Sequence, residues 1–171
     1  MPLPVHSDLV RRYLEVQDAG QPTAFDRALA ELRSGRKSSH WIWFILPQLK
    51  GLGRSAMAQS YGIQDLAEAK AYLTDPTLRS RLEEVIAVIA DQLSQPDQTL
   101  EKLMGSDLDA AKTISCFTLF EAAGLAGASD LLNRLGRRCA KTQALLTAPA
   151  CSTTPVLTTA MPSTATSSIE G

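Results

Sequence analysis

Residues 38–48 read SSHWIWFILPQ, and the structure of this stretch decides between an all-α protein and a mixed one. Trp41, Phe44, Ile45 and Gln48 share one helical face, yet Trp-Ile-Trp-Phe-Ile also has high strand propensity. A lone strand leaves its backbone N–H and C=O groups without partners, and no second strand-like segment occurs in the chain. Ser38 or Ser39 can open a helix and Pro47 suits its end, so the stretch is expected to be a short buried helix.

The segments on either side are helical by pattern. Ser7 can cap a helix carrying Leu9, Val10, Tyr13 and Leu14. Thr23 can cap a second, with Phe25, Ala28, Leu29 and Leu32 spaced i, i+3, i+4, i+7 and Gly35 as a left-handed stop. Asp65 can cap a third, with Glu68 at the reciprocal position. Asp75 and Pro76 then open the clearest helix, whose stripe is Leu78, Leu82, Val85, Ile86, Ile89 and Leu93. Thr99 starts one or two turns ending at Gly105. Ser106 or Asp107 starts a helix to about Ala123, apolar on several faces and so expected at the centre. Ser129 is expected to cap a last short helix before Gly136. These add up to an all-α domain of seven or eight short helices over residues 1–141. Residues 142–171, rich in Thr, Ala, Ser and Pro, are expected to be a disordered tail.

Composition narrows the function classes. The chain has 171 residues, 17 Lys plus Arg against 18 Asp plus Glu, and a net charge of -1. Glu170 is the only charged residue after Lys141, so the charges of residues 1–141 balance. This argues against a large nucleic-acid interface, although basic clusters stand at Arg33, Arg36 and Lys37 and at Arg134, Arg137, Arg138 and Lys141. No apolar run is long enough for a signal-peptide core or a membrane span, so a cytoplasmic protein is expected. Three cysteines without CxxC spacing imply neither a disulfide framework nor a cysteine zinc site. Cys116, among apolar residues, is expected to be a small buried hydrophobe. Cys139 follows Arg137 and Arg138, a setting that lowers a thiol pKa.

Candidate chemistry concentrates between Gly35 and Ser55. His40 is the candidate catalytic residue: at the start of a helix the dipole favours a neutral imidazole able to act as a base, although a capping or packing role is equally compatible. Trp41 and Trp43 offer aromatic surface. Gln48 offers a donor and an acceptor beside Pro47, for a ligand edge or for free backbone groups. Gly51-Leu52-Gly53-Arg54-Ser55 can form a small anion-binding turn or a plain turn with Ser55 as a cap. Tyr61, Lys112 and Ser115 complete the candidate set. Asp109, Lys112 and Ser115 recur at i, i+3 and i+6, and an Asp109–Lys112 pair is expected at the surface. There is no metal-ligand set, no cofactor motif and no Gly-x-Ser-x-Gly elbow.

The string His40-Trp-x-Trp-Phe-x-x-Pro-Gln48 within residues 35–63 resembles a bacterial domain-of-unknown-function family, number 1810, sometimes labelled calpastatin. The stretch Ala69–Leu82, the turn Leu103-Met104-Gly105-Ser106, and Asp109-xx-Lys112-xx-Ser115-xx-Thr118-Leu119-Phe120 extend the resemblance over about Leu9 to Gly136. Ile42 stands where Met is expected, and residues 108–117 are more apolar than the pattern. The resemblance implies a single all-helical domain and transfers no activity. The calpastatin label implies a disordered protease inhibitor, which the helical pattern contradicts. Two functions are carried forward: a binding protein or enzyme for a phosphorylated or nucleotide-like small molecule, and a non-enzymatic helical protein-interaction module.

Overall fold

In the computed structural model, residues 7–148 are described. They form ten α-helices: α1 Asp8–Gln17, α2 Ala24–Arg33, α3 Ile42–Ile45, α4 Ala56–Tyr61, α5 Leu66–Thr74, α6 Pro76–Gln92, α7 Leu100–Met104, α8 Asp107–Ala122, α9 Ala126–Leu135 and α10 Ala140–Thr147. No strand occurs among them, and none of these helices is long and apolar enough to cross a membrane.

Local chemistry places most helix starts. Ser7, Thr23, Asp65, Asp75, Thr99 and Ser106 each accept a hydrogen bond from a first-turn backbone N–H. Glu68 reaches back to the N–H of Gln64. α7 ends on Gly105 and α9 on Gly136, both left-handed, a conformation glycine adopts without strain.

α8 is the central element. Residues 113–120 are buried without interruption, so the helix is covered on every face. α9, α7, α5, α10 and α3 all pack on it. α1, α2, α5 and α6 form a second cluster, tied by a buried amide. Gln17 donates to the carbonyl of Phe44 at 2.8 Å and accepts from Arg81 at 3.1 Å.

Four expectations need correction. The 38–48 stretch is helical for one turn only, Ile42–Ile45. Its upstream residues are held by the Glu31 carboxylate on α2, which accepts from the N–H groups of Ser38 (2.8 Å) and Ser39 (3.0 Å), the Ser39 hydroxyl, and the Trp41 indole (2.8 Å). Downstream, Leu49 does find an extended partner, a single parallel bridge to Ile63. Ser129 does not cap α9, which starts at Ala126; its hydroxyl donates to Glu121 instead. The helical domain also runs past residue 141. α10 continues to Thr147, with Thr142 fully buried and Leu146 packed on the core, because AKTQALLT is a good helix-forming run despite its few charges. The remainder of the expected tail, 149–171, lies outside the described residues.

The Glu31 anchor carries a pH signature. Burial alone would raise this carboxyl, but the hydrogen bonds from Ser39, Ser38 and Trp41 outweigh it and hold the pKa at about 2, against 4.5 in an open chain. A depressed carboxylate contributes stability above its unfolded pKa and loses it as pH falls through the folded one. Glu31→Gln, which turns an amide N–H₂ toward these donors, is expected to cost about 1–2 kcal/mol at neutral pH, allowing for partial solvent screening. The gap between wild type and variant in urea midpoints should narrow as pH falls from 4.5 towards 2. A gap that does not change with pH would mean that the carboxylate charge is not what holds residues 38–41.

Candidate functional site

A concavity of about 870 Å³ lies between the α3–α4 connection, the first half of α8, and the turn joining α9 to α10. Trp43, Gln48, Arg54, Lys112 and Ser115 all line it. Five candidates spread over more than 70 positions of sequence therefore meet in one place.

Each is positioned by its backbone. Residues 48–50 are pinned by Ile63: the Lys50 N–H donates to its carbonyl at 2.7 Å, and the Ile63 N–H donates to Gln48 at 2.9 Å. The Gln48 side-chain N–H₂ donates to the Leu46 carbonyl at 2.8 Å. That satisfies the backbone carbonyl just before Pro47 and leaves the amide oxygen without a hydrogen bond among the described residues. Gly51 sits at φ +97°, which turns the chain towards the cavity, and Ser55 caps α4 by accepting from the Ala58 N–H. Arg54, between them, makes no ion pair among the described residues, and the same holds for Lys141 at the other side of the opening.

α8 contributes a charged network that turns inward instead of lying at the surface. Asp109 pairs with Lys112 at 3.1 Å and with Lys37 at 2.7 Å. The Lys37 side chain is only 6% exposed and also donates to the Ser39 carbonyl. Burial would raise the Asp109 carboxyl, but the two ammonium groups outweigh it and hold the pKa below its ordinary value. Lys112 also lies over the Trp43 ring, 4.9 Å from its centroid, which fixes the indole at the cavity wall.

Ser115, about one turn beyond Lys112, donates to the Cys139 sulfur at 3.2 Å. Cys139 immediately precedes α10, and its own N–H donates to the Thr118 hydroxyl at 3.0 Å. Burial pushes this thiol up. The Ser115 hydrogen bond, the nearby Thr142 hydroxyl and the backbone of Thr142 and Lys141 outweigh it and bring the thiol below its ordinary value. Cys116, wholly buried, is pushed well up.

Three candidates lie elsewhere. His40 is exposed, precedes α3 instead of sitting in its first turn, and borders a separate hollow of about 380 Å³ beside Lys37, Ser106 and Asp109. Trp41 is 2% exposed and spent on the Glu31 anchor, with Lys37 against its ring. Tyr61 is half-buried against Phe44 and Tyr13, accepts the Tyr13 hydroxyl at its carbonyl, and borders a small neighbouring hollow. Conversely, Arg137, Arg138, Cys139 and Lys141 border the main cavity without having been grouped with it. The run Arg137-Arg138-Cys139 was the available signal, but nothing local ties it to residues 43–54. Arg137 is paired with Glu101 and Arg138 with Glu121. Among the described residues no group of three or more metal-ligating side chains is gathered.

A family described as proteins of unknown function, DUF1810, matches residues 7–146. The chain belongs to the DUF1810 family. The crystal structure of the conserved hypothetical protein Rv1873 from Mycobacterium tuberculosis superposes with a TM-score of 0.71 at 36% identity, covering 80% of this chain and 95% of that one. No curated protein matches the sequence significantly. The DUF1810 match spans α1 to α9 and all of α10 but its last residue, and contains every residue that lines the cavity.

Proposed function

We propose that this DUF1810 protein binds a phosphorylated, nucleotide-like small molecule in the cavity between α3, α8 and α10. The observation that carries the reading is the convergence of Trp43, Gln48, Arg54, Lys112 and Ser115 on one concave space of ligand size. Trp43 offers an apolar edge for a ring. The free amide oxygen of Gln48 suits an amino group on that ring. Arg54 and Lys141, without acidic partners among the described residues, suit phosphate oxygens. His40 has no part in this reading, since it borders a different hollow.

The alternative, a helical protein-interaction module, draws on Leu108 (66% exposed) at the cavity rim and Leu145 (46%) on α10. A thermal-shift series with adenosine di- and triphosphate, ADP-ribose and inorganic phosphate separates the two. A ligand at a hundred times its Kd adds about 2.7 kcal/mol, a rise of several degrees. Arg54→Ala and Gln48→Ala should each reduce that rise, while His40→Ala should leave it intact. No stabilisation by any of these compounds would remove the small-ligand reading, and partner capture lost on Leu108→Asp would favour the alternative.

A further inference from the structure

The cavity holds a nucleophile that the ligand reading does not use. Cys139 borders it, half-buried, with its backbone N–H locked on Thr118 and its sulfur turned to Ser115. A second, independent feature marks the same sulfur. The Thr142 side chain, three residues on in the first turn of α10, is fully buried, and its hydroxyl lies near the sulfur without a hydrogen-bond partner among the described residues. A buried hydroxyl so placed is poorly satisfied beside a neutral thiol and well satisfied beside a negative sulfur. The backbone of Lys141 and Thr142, in the first turn of α10, favours the same charge.

We propose that Cys139 is a modification site, at which a negatively charged low-molecular-weight disulfide enters the cavity and becomes joined to the Cys139 sulfur as a mixed disulfide. Cys139 loses its proton to solvent, and the sulfur lone pair attacks one sulfur of the incoming disulfide. The incoming S–S bond breaks, and its electron pair leaves with the other half, which is protonated to a thiol. Cys139 is oxidised, half of the reagent is reduced, and no further oxidant is needed. The negative charge is selected by Arg54 and Lys141. Around the sulfur stand Ser115 from α8, Thr142 and Lys141 from α10, and Arg137 and Arg138 from the connecting turn. Arg137 and Arg138 are engaged by Glu101 and Glu121, and Lys112 by Asp109.

The test uses the full chain carrying Cys151→Ser, so that Cys139 and the buried Cys116 are the remaining thiols. Glutathione disulfide is the anionic probe and 2-hydroxyethyl disulfide the neutral one, with adducts mapped by mass spectrometry over the neutral pH range. One adduct, at Cys139, is expected and should vanish in Cys139→Ser. The anionic probe should gain about tenfold over the neutral one at low salt, relative to the same pair on free cysteine, and lose that gain at high salt. Arg54→Ala with Lys141→Ala should remove the gain and keep the adduct. Ser115→Ala should move the rate profile to higher pH. No adduct at Cys139 in the folded chain, equal relative rates for the two probes, or an unmoved profile in Ser115→Ala would overturn the proposal. Adduct formation without nucleotide stabilisation would overturn the ligand reading alone, and the reverse result would overturn this inference alone.

Discussion

Asp109→Ala should lower the unfolding free energy by about 3 kcal/mol, the low end of the range for removing one partner of a buried ion pair. The reason is what it leaves behind. Lys37 is almost fully enclosed, and its ammonium relies on Asp109 at 2.7 Å, the Ser39 carbonyl at 2.7 Å and the Trp41 ring at 5.1 Å. Without the carboxylate, a buried cation keeps one carbonyl and a ring face, which is short of its desolvation cost. Lys37→Met should be milder, about 1–2 kcal/mol, because the apolar stem is kept and Asp109 still has Lys112 at 3.1 Å. Adding Lys37→Met to Asp109→Ala should therefore recover part of the loss. Urea denaturation of the two single variants and the double variant checks this; equal costs for the singles would mean that the buried charge is not what matters. Since the Asp109 carboxyl is held below its open-chain value of 3.8, its contribution is present above that value and fades on acidification. The Asp109 loss should reach the cavity too, because Lys112 would lose the carboxylate that holds it over Trp43.

Phe120→Ala should cost about 3–5 kcal/mol, the range for emptying a fully buried aromatic site. Phe120 is 0% exposed on the helix that carries most of the packing, and its ring lies 5.2 Å from that of Tyr72 on α5. Tyr72 is itself fully buried and in contact with Tyr13 and Gln17, so the hole cannot close without disturbing that polar cluster. Leu108→Ala on the same helix is the control. At 66% exposure it should change stability by no more than about 0.5 kcal/mol. A denaturation midpoint for Phe120→Ala close to that of Leu108→Ala would show that α8 is not the organising element.

The legible parts of the fold are those whose cause is local. Ser7, Thr23, Asp65, Asp75, Thr99 and Ser106 cap as expected because a cap needs only a side-chain oxygen and an N–H three residues on. The apolar stripe of α6 and the all-round apolarity of α8 likewise announce their burial. Ser129 misled because the same hydroxyl serves equally well as a partner for Glu121, a choice made by a neighbouring helix. Residues 38–48 misled for a similar reason. Their helical periodicity is real, but Glu31 on α2 captures Ser38, Ser39 and Trp41 and shortens the helix to one turn.

The candidate site divides in the same way. Sequence spacing alone put Lys112 and Ser115 on one stretch of α8 and singled out Trp43, Gln48 and Arg54 as chemically able. It also gave His40 and Trp41 equal standing with them, because neighbours in sequence look alike until their directions are known. Tertiary structure separated them: Trp41 turns into the core towards Glu31, His40 faces another hollow, and Trp43 is drawn to Lys112. It also brought in Cys139 and Lys141, from the last residues before the change in composition at Thr142. The sequence by itself determined the all-α class, six helix starts and the central helix, since these rest on hydrogen bonds and periodicities a few residues long. Which polar side chains share a cavity depends on contacts between segments up to a hundred residues apart, and those directions exist only once α8 is packed on all sides.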